Sequence, residues 1–311
     1  MTSLTRSKPY TLLILTSQLP YPPHQGATIR SYNLIRELAR RAEIDLLSFV
    51  GEREEIEAAG PLRDLCRRIE VQETPRRSLW SRGLKTFLSP RPDMALRFAS
   101  ERFASLLLQW LEGNDYDAVL CVGIDTGPYL EQVAAWRDSR PAGRRPIIIF
   151  DDLNAEYLLQ RRAFETDVRR LDHPRRWAGA LYSLIQWRKL QRFEARLCRL
   201  ADEVAAVSEA DRLALQRIVP GLRVTVVPNG VDLERYRPGR GGRERVIPSP
   251  ALVFTGKMDF RPNVDAACWF AQEVLPALRR EAPEATFAIV GRDPHPRVAA
   301  LSGLPGVLVT G

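Results

Sequence analysis

PYTLLILTSQLPYPPHQGATIRSYNLIRELARRAEIDLLSFV, residues 9–50, decides the fold class. TLLILT (11–16) is an unbroken apolar run followed by turn residues, the pattern of a strand buried on both faces. From Thr28 to Arg41 apolar residues return at helical spacing, as Ile29, Leu34, Ile35 and Leu38, and IDLLSFV (44–50) reads as a strand again. A strand, a crossover helix and a second strand in this order imply parallel pairing.

The alternation continues toward the carboxyl terminus. AVLCVG (118–123), PIIIFDD (146–152), EVAAVS (203–208) and VTVVPN (224–229) read as strands, with a helix from Ala210 to Ile218 between the last two. Gly239 to Pro250 is rich in Gly, Arg, Pro and Ser without hydrophobic period, which marks a linker. The pattern then restarts. ALVFTG (251–256) is a strand, Val264 to Arg280 a helix and ATFAIVG (285–291) a strand; Pro296 to Leu301 suits a short helix and VLVTG (307–311) a short strand. The expected architecture is α/β, with an N-terminal domain at 9–238, a linker at 239–250 and a second domain at 251–311. A doubly wound domain takes about 100–150 residues. The second stretch has roughly half of that, so it is expected to be incomplete, as a fragment or a truncated product; a naturally short domain is the alternative.

The totals bound the class. The chain has 311 residues, 45% apolar and 27% charged, which is ordinary globular composition and excludes wholesale disorder. Cys66, Cys121, Cys198 and Cys268 are scattered without ligand-like spacing, so they read as buried thiols in a reducing compartment. The apolar run Tyr10–Leu15 is too short for a signal peptide or a membrane span, which points to a cytoplasmic protein. A net charge of +8 raises anionic partners: nucleic acid, a membrane surface or a phosphorylated substrate. No nucleic-acid motif supports the first. The three histidines, His24, His173 and His295, form no ligand cluster, so no metal is expected.

Three segments sit where α/β folds bind ligands, beyond the carboxyl ends of strands. The first, SQLPYPPHQGATIRSYNL (17–34), lacks GxGxxG, which argues against a dinucleotide fingerprint. A proline-stiffened loop instead delivers Gln25 and Gly26 to a helix start, where free N–H groups suit an anion and Arg30 could add charge. A plain turn is the competing reading. The second, FDDLNAEYLLQRRA (150–163), gathers Asp151, Asp152, Asn154 and Glu156. Helix capping explains one or two of them; Asp152 and Glu156 are the candidates for a general base. The third joins VPNGVD (227–232), a chain-turning stretch, to FTGKMDFRPN (254–263), where Gly256 and Lys257 bring close backbone and positive charge together, as phosphate recognition requires.

With FEARLCRLADEVAAVSEADRLAL (193–215), VVPNGVDLERYRP (226–238), LPYPPHQGATIRSYNLIRELARR (19–41) and the run LVFTGKMDFRPN to IVGRDP (252–294), the chain resembles the glycosyltransferases of family 4. FTGKMDFRPN with DDLNAE is most similar to the exosortase (PEP-CTERM)-associated sugar transferases of bacterial exopolysaccharide clusters. The resemblance implies the GT-B fold, two Rossmann-like domains facing each other across a cleft, and retaining, metal-independent transfer from a nucleotide sugar to a glycan or lipid-linked acceptor. It implies no cofactor beyond that co-substrate. It places Gln25, Gly26 and Arg30 near the acceptor and the donor phosphates, and Gly256, Lys257, Gly291 and Arg292 at the donor diphosphate. The family's E-x7-E segment falls beyond Gly311, which leaves a non-catalytic acceptor- or partner-binding module as the alternative function. A nicotinamide oxidoreductase is disfavoured by the missing glycine fingerprint.

Residues 161–199 carry eleven basic and four acidic residues, together with Trp177, Tyr182 and Trp187. This is either an amphipathic helix packed on the sheet with its arginines in water or a surface for peripheral contact with an anionic membrane, at its inner face.

Overall fold

The computed structural model describes residues 9–51, 59–76, 89–168, 174–234, 247 and 250–310. The opening stretch forms β1 (Tyr10–Thr16), α1 (Gly26–Leu38) and β2 (Ala42–Val50), and the two strands pair in parallel with Tyr10 opposite Ala42. Next come α2 (Gly60–Leu65), β3 (Arg68–Glu73), α3 (Asp93–Arg97) and α4 (Glu101–Gly113). They lead to β4 (Ala118–Val122), α5 (Gly127–Asp138) and β5 (Ile147–Asp152). A long pair, α6 (Glu156–Val168) and α7 (Pro174–Leu200), precedes β6 (Glu203–Ala206), α8 (Glu209–Ile218) and β7 (Val224–Val226). The strands assemble in the order β3-β2-β1-β4-β5-β6-β7, all parallel.

Period-two alternation explains why the inner strands are apolar throughout. Leu13 and Leu15 of β1 enter one core with Leu47, Phe49, Phe103, Trp110 and Leu130, where Phe49 and Phe103 stack at 4.4 Å. Ile14 turns to the other face, with Ile35, Ile44, Leu46 and Leu62 beneath α1 and α2. Each such side chain contributes roughly 1.5–3 kcal/mol by leaving water. The four cysteines are buried and free.

The chain divides after Gly230 into a first and a second unit. The second holds β8 (Ala251–Thr255), α9 (Arg261–Trp269), α10 (Leu275–Glu281), β9 (Thr286–Val290), α11 (Pro296–Ala299) and β10 (Val307–Thr310). Its parallel sheet has the order β10-β9-β8, and one face packs Phe287 and Ile289 against Val264, Ala267 and Leu275. A π-helical turn, Phe270–Val274, joins α9 to α10 within the stretch expected as one helix. Of the expected linker, 239–250, all but Ile247 and Pro250 lie outside the described residues.

Two features exceed the sequence reading. β3, RIEVQE, was not expected as a strand, because an edge strand with only Gln72 buried carries no apolar run. The basic stretch forms an antiparallel helical hairpin: Ser183 donates to Asp167 at 3.1 Å and Phe164 stacks on Trp187 at 5.9 Å. α7 spans 27 residues, about 40 Å. Among the described residues no helix is long and apolar enough to cross a membrane.

Candidate active site

After β1 the chain builds β2 and β3 on one side and then crosses to β4 on the other, so a crevice opens at the carboxyl ends of β1 and β4. A cavity of about 430 Å³ lies at this edge, lined among others by Gln18, His24, Gln25, Val50, Thr74 and Arg97. Gln25 is the N-cap of α1; its N–H donates to the Thr28 hydroxyl at 3.1 Å. Gly26 follows as the first helical residue, exposed, and a Cβ built there meets nothing within 4 Å. Packing within the chain therefore does not call for glycine, and a ligand can approach the unpaired N–H groups of the helix start. Gly26→Ala is expected to leave the fold intact and to change stability by no more than about 1 kcal/mol, since alanine is the better helix former. Affinity for a bound anion should nonetheless fall. Thermal melts and calorimetry with nucleotide sugars check this, and unchanged binding would remove Gly26 from the site.

Arg30 is used differently from the expectation of a ligand-facing charge. It is 6% exposed, and its guanidinium grips Asp151 bidentately, Nε to Oδ2 at 2.9 Å and Nη2 to Oδ1 at 2.7 Å. Nη1 also donates to the Val227 carbonyl at 2.6 Å and to Asn229 Oδ1 at 3.2 Å. One side chain thus ties α1, the end of β5 and the segment after β7.

The acidic cluster at the end of β5 separates into roles by burial. Asp152 is fully buried, and neither carboxyl oxygen receives a hydrogen bond. Desolvation first, then the charges of Glu194, Glu156, Asp211 and Asp151, push its pKa well above the usual carboxylate range. Glu194, 0% exposed on α7, caps α6 by accepting the N–H of Glu156 at 2.8 Å and of Tyr157 at 3.2 Å; burial raises its pKa to about 8. Glu156 is only half-buried. Burial, then neighbouring Asp125, lifts it to about 7, against the lowering bond from Asn154 at 3.4 Å. Asp125, in the turn after β4, is raised to about 6 by burial, against the lowering effect of Arg97. Of the two expected bases, Glu156 is the half-buried one, while Asp152 is sealed from solvent.

In the second unit Gly256 and Gly291 end β8 and β9. The Gly256 N–H donates to the Val290 carbonyl at 3.1 Å, and a Cβ on Gly291 would fall 2.0 Å from the Gly256 carbonyl oxygen. The two glycines let the loops touch. His295 N–H to the Met258 carbonyl, 3.0 Å, and Asn263 Nδ2 to the Lys257 carbonyl, 3.0 Å, hold them. The exposed side chains of Lys257, 3.4 Å from Asp259, and Arg292 thus sit on adjoining loops at the carboxyl edge.

Sequence reading missed Asp125, Glu194 and Arg97. Glu194 alone leaves a local trace, a carboxylate inside the apolar stripe Phe193, Leu197, Cys198. Among the described residues no group of three or more His, Cys, Asp or Glu side chains could hold a metal ion.

A family model, Glycosyltransferase Family 4, matches residues 24–235. TarM shares 10% identity with a TM-score of 0.57, the match covering 97% of this chain and 76% of TarM. The N-terminal domain of Candida albicans trehalose-6-phosphate phosphatase shares 13%, with a TM-score of 0.51 and coverage of 96% and 71%. A UDP-forming α,α-trehalose-phosphate synthase from Burkholderia vietnamiensis shares 10%, with 0.51 and coverage of 96% and 73%. At such identities the likeness speaks for the fold alone. That fold is GT-B, with a parallel sheet in each unit. No protein of curated function matches the chain in sequence.

Proposed function

The chain belongs to glycosyltransferase family 4, and we propose that it moves a sugar from a nucleotide-sugar donor to a glycan or lipid-linked acceptor in bacterial exopolysaccharide or related surface-glycan assembly. The observation that carries the reading is the carboxyl edge of the first sheet, where the open helix start at Gly26 adjoins the cavity beside Arg97.

The acceptor side falls to the first unit. Glu156, with a pKa near neutral, accepts a hydrogen bond from an acceptor hydroxyl and makes its oxygen the better nucleophile. The donor side falls to the second unit, where Lys257 and Arg292 bind the diphosphate. As the acceptor oxygen bonds to the anomeric carbon, the bond to the phosphate oxygen breaks and the nucleoside diphosphate departs with its electrons. The two cations neutralise the charge that develops there, the role this proposal gives to side chains instead of a metal. The acceptor proton leaves with the phosphate, and the anomeric configuration is retained.

The test is release of nucleoside diphosphate from a panel of UDP-, GDP- and ADP-sugars with glycan and lipid-linked acceptors, and proton NMR of the product's anomeric centre. Lys257→Ala and Arg292→Ala are each expected to lower kcat/KM about 10–100-fold, the value of one charge-assisted contact. Turnover unaffected by both changes would refute the donor assignment, and an inverted product would refute retention.

A further inference from the structure

Helix α6 begins without a cap of its own. The residue ahead of it is Ala155, 2% exposed, whose methyl group accepts no hydrogen bond. By contrast α4 and α8 are capped by the hydroxyls of Ser100 and Ser208, each accepting an N–H at 3.2 Å. The N–H groups at the start of α6 go instead to carboxyl groups of two other helices. Asp211 of α8 accepts the Ala155 N–H at 3.2 Å. On α7, Glu194 Oε1 accepts the Glu156 N–H at 2.8 Å and Oε2 accepts that of Tyr157 at 3.2 Å. The Leu158 and Leu159 N–H groups return to the Ala155 carbonyl. Tyr157 is fixed a second time, its hydroxyl donating to the Ala214 carbonyl at 2.9 Å.

Satisfying these donors does not by itself require Glu194. A serine at position 155 would cap the helix locally, as in α4 and α8, with no carboxyl placed at 0% exposure among Phe193, Leu197 and Cys198. What a local cap lacks is a link to the neighbouring helices. Glu194 stands 38 residues from Glu156 in the chain and joins the first turn of α6 to α7, so the Glu156 backbone is fixed against the core and not merely against its own loop. The Glu156 carboxyl meets Asn154 Nδ2 at 3.4 Å, a long bond, so its place depends chiefly on the backbone that carries it. The geometry points to Glu194 as a positioning residue: through the Glu156 amide it holds the carboxyl that is to meet the acceptor hydroxyl. That role rests on the transfer proposed above; the tether is a property of the fold and is read without turnover.

Two substitutions in the full chain separate reach from charge. Glu194→Asp keeps a carboxyl but draws it back by one carbon–carbon bond, about 1.5 Å, beyond hydrogen-bond distance of the Glu156 N–H. Glu194→Gln keeps the length, and its amide oxygen takes that N–H. For both, kcat and KM are measured well below the melting temperature, and amide hydrogen exchange is followed by NMR. Glu194→Gln should keep kcat within about threefold, whereas Glu194→Asp should lower it at least about tenfold with KM little changed, since misplacement by about 1 Å can cost on the order of 100-fold. The Glu156 amide should exchange at least about tenfold faster in Glu194→Asp and near the native rate in Glu194→Gln. Native kcat in Glu194→Asp would overturn the inference, as would native protection of the Glu156 amide there. So would equal losses in both variants that follow their melting temperatures, the pattern of a residue needed for stability alone. Glu156→Gln keeps the two failures apart. Native turnover in that variant removes Glu156 from the reaction, and the positioning role with it; loss there beside native kcat in Glu194→Asp removes the positioning role alone.

Discussion

Arg30→Met is expected to destabilise the first unit by about 3–5 kcal/mol, the cost of leaving a buried carboxylate without its partner. The side chain of Asp151 is 1% exposed and that of Arg30 3%, so water does not replace the lost guanidinium. The same change frees the Val227 carbonyl and Asn229 Oδ1, which loosens the segment after β7. Urea denaturation followed by circular dichroism measures the loss. Adding Asp151→Asn should return a substantial part of it, because a neutral amide costs far less to bury than a charge. A loss below about 1 kcal/mol would mean that the pair is hydrated and replaceable. Because the expected effect is on folding, reduced activity in Arg30 variants must be read against their stability before a ligand contact is assigned.

Stability should fall as pH rises from 5 to 8, opposite to the behaviour of carboxylates held in ion pairs. Glu194 moves from 4.5 to about 8 on folding, and Asp152 moves upward with it. A carboxyl group whose folded pKa is raised is protonated in the native state where the unfolded chain has already lost the proton. The native state therefore binds more protons in this window, and the slope of unfolding free energy against pH is negative. The favourable contribution is complete below the unfolded value near 4.5 and is lost as pH climbs through about 8. The loss is on the order of 3 kcal/mol, shared within the cluster. Glu194→Gln removes the titration while its amide oxygen still accepts the N–H groups at the start of α6. Melting temperature against pH is the measurement: the native chain should slope downward and the variant less steeply, the remaining slope coming from Asp152, Glu156 and Asp125, whose pKa values are also raised. A flat native profile, or an unchanged slope in Glu194→Gln, would show that the pair ionises freely in place.

The order of strands and helices was legible because it rests on local period and turn chemistry. TLLILT, AVLCVG and PIIIFDD each became an inner strand whose alternate residues feed opposite cores. β3 was not, since pairing with β2, not composition, makes RIEVQE a strand. The helix start at Gln25 and Gly26 was also readable from one loop, glycine being the signal. The acidic cluster was visible as a group, but the chain order Asp151, Asp152, Glu156 holds no hint of which carboxyl is sealed and which is reachable. That depends on Glu194, contributed by α7 from 38 residues beyond Glu156.

By itself, then, the sequence determined an α/β chain of family 4 with glycines and cations placed at strand ends. Those properties reside in residue type and short spacing. Only the tertiary structure decided that Arg30 turns inward to Asp151, across 121 residues, and to Val227, across 197. It also decided that Asp152 is sealed from solvent, with its pKa pushed upward by burial, and that Trp177 and Leu181 reach solvent instead of the core. Charge state and exposure depend on what the fold brings alongside a side chain, and desolvation by distant segments leaves no mark in the local sequence.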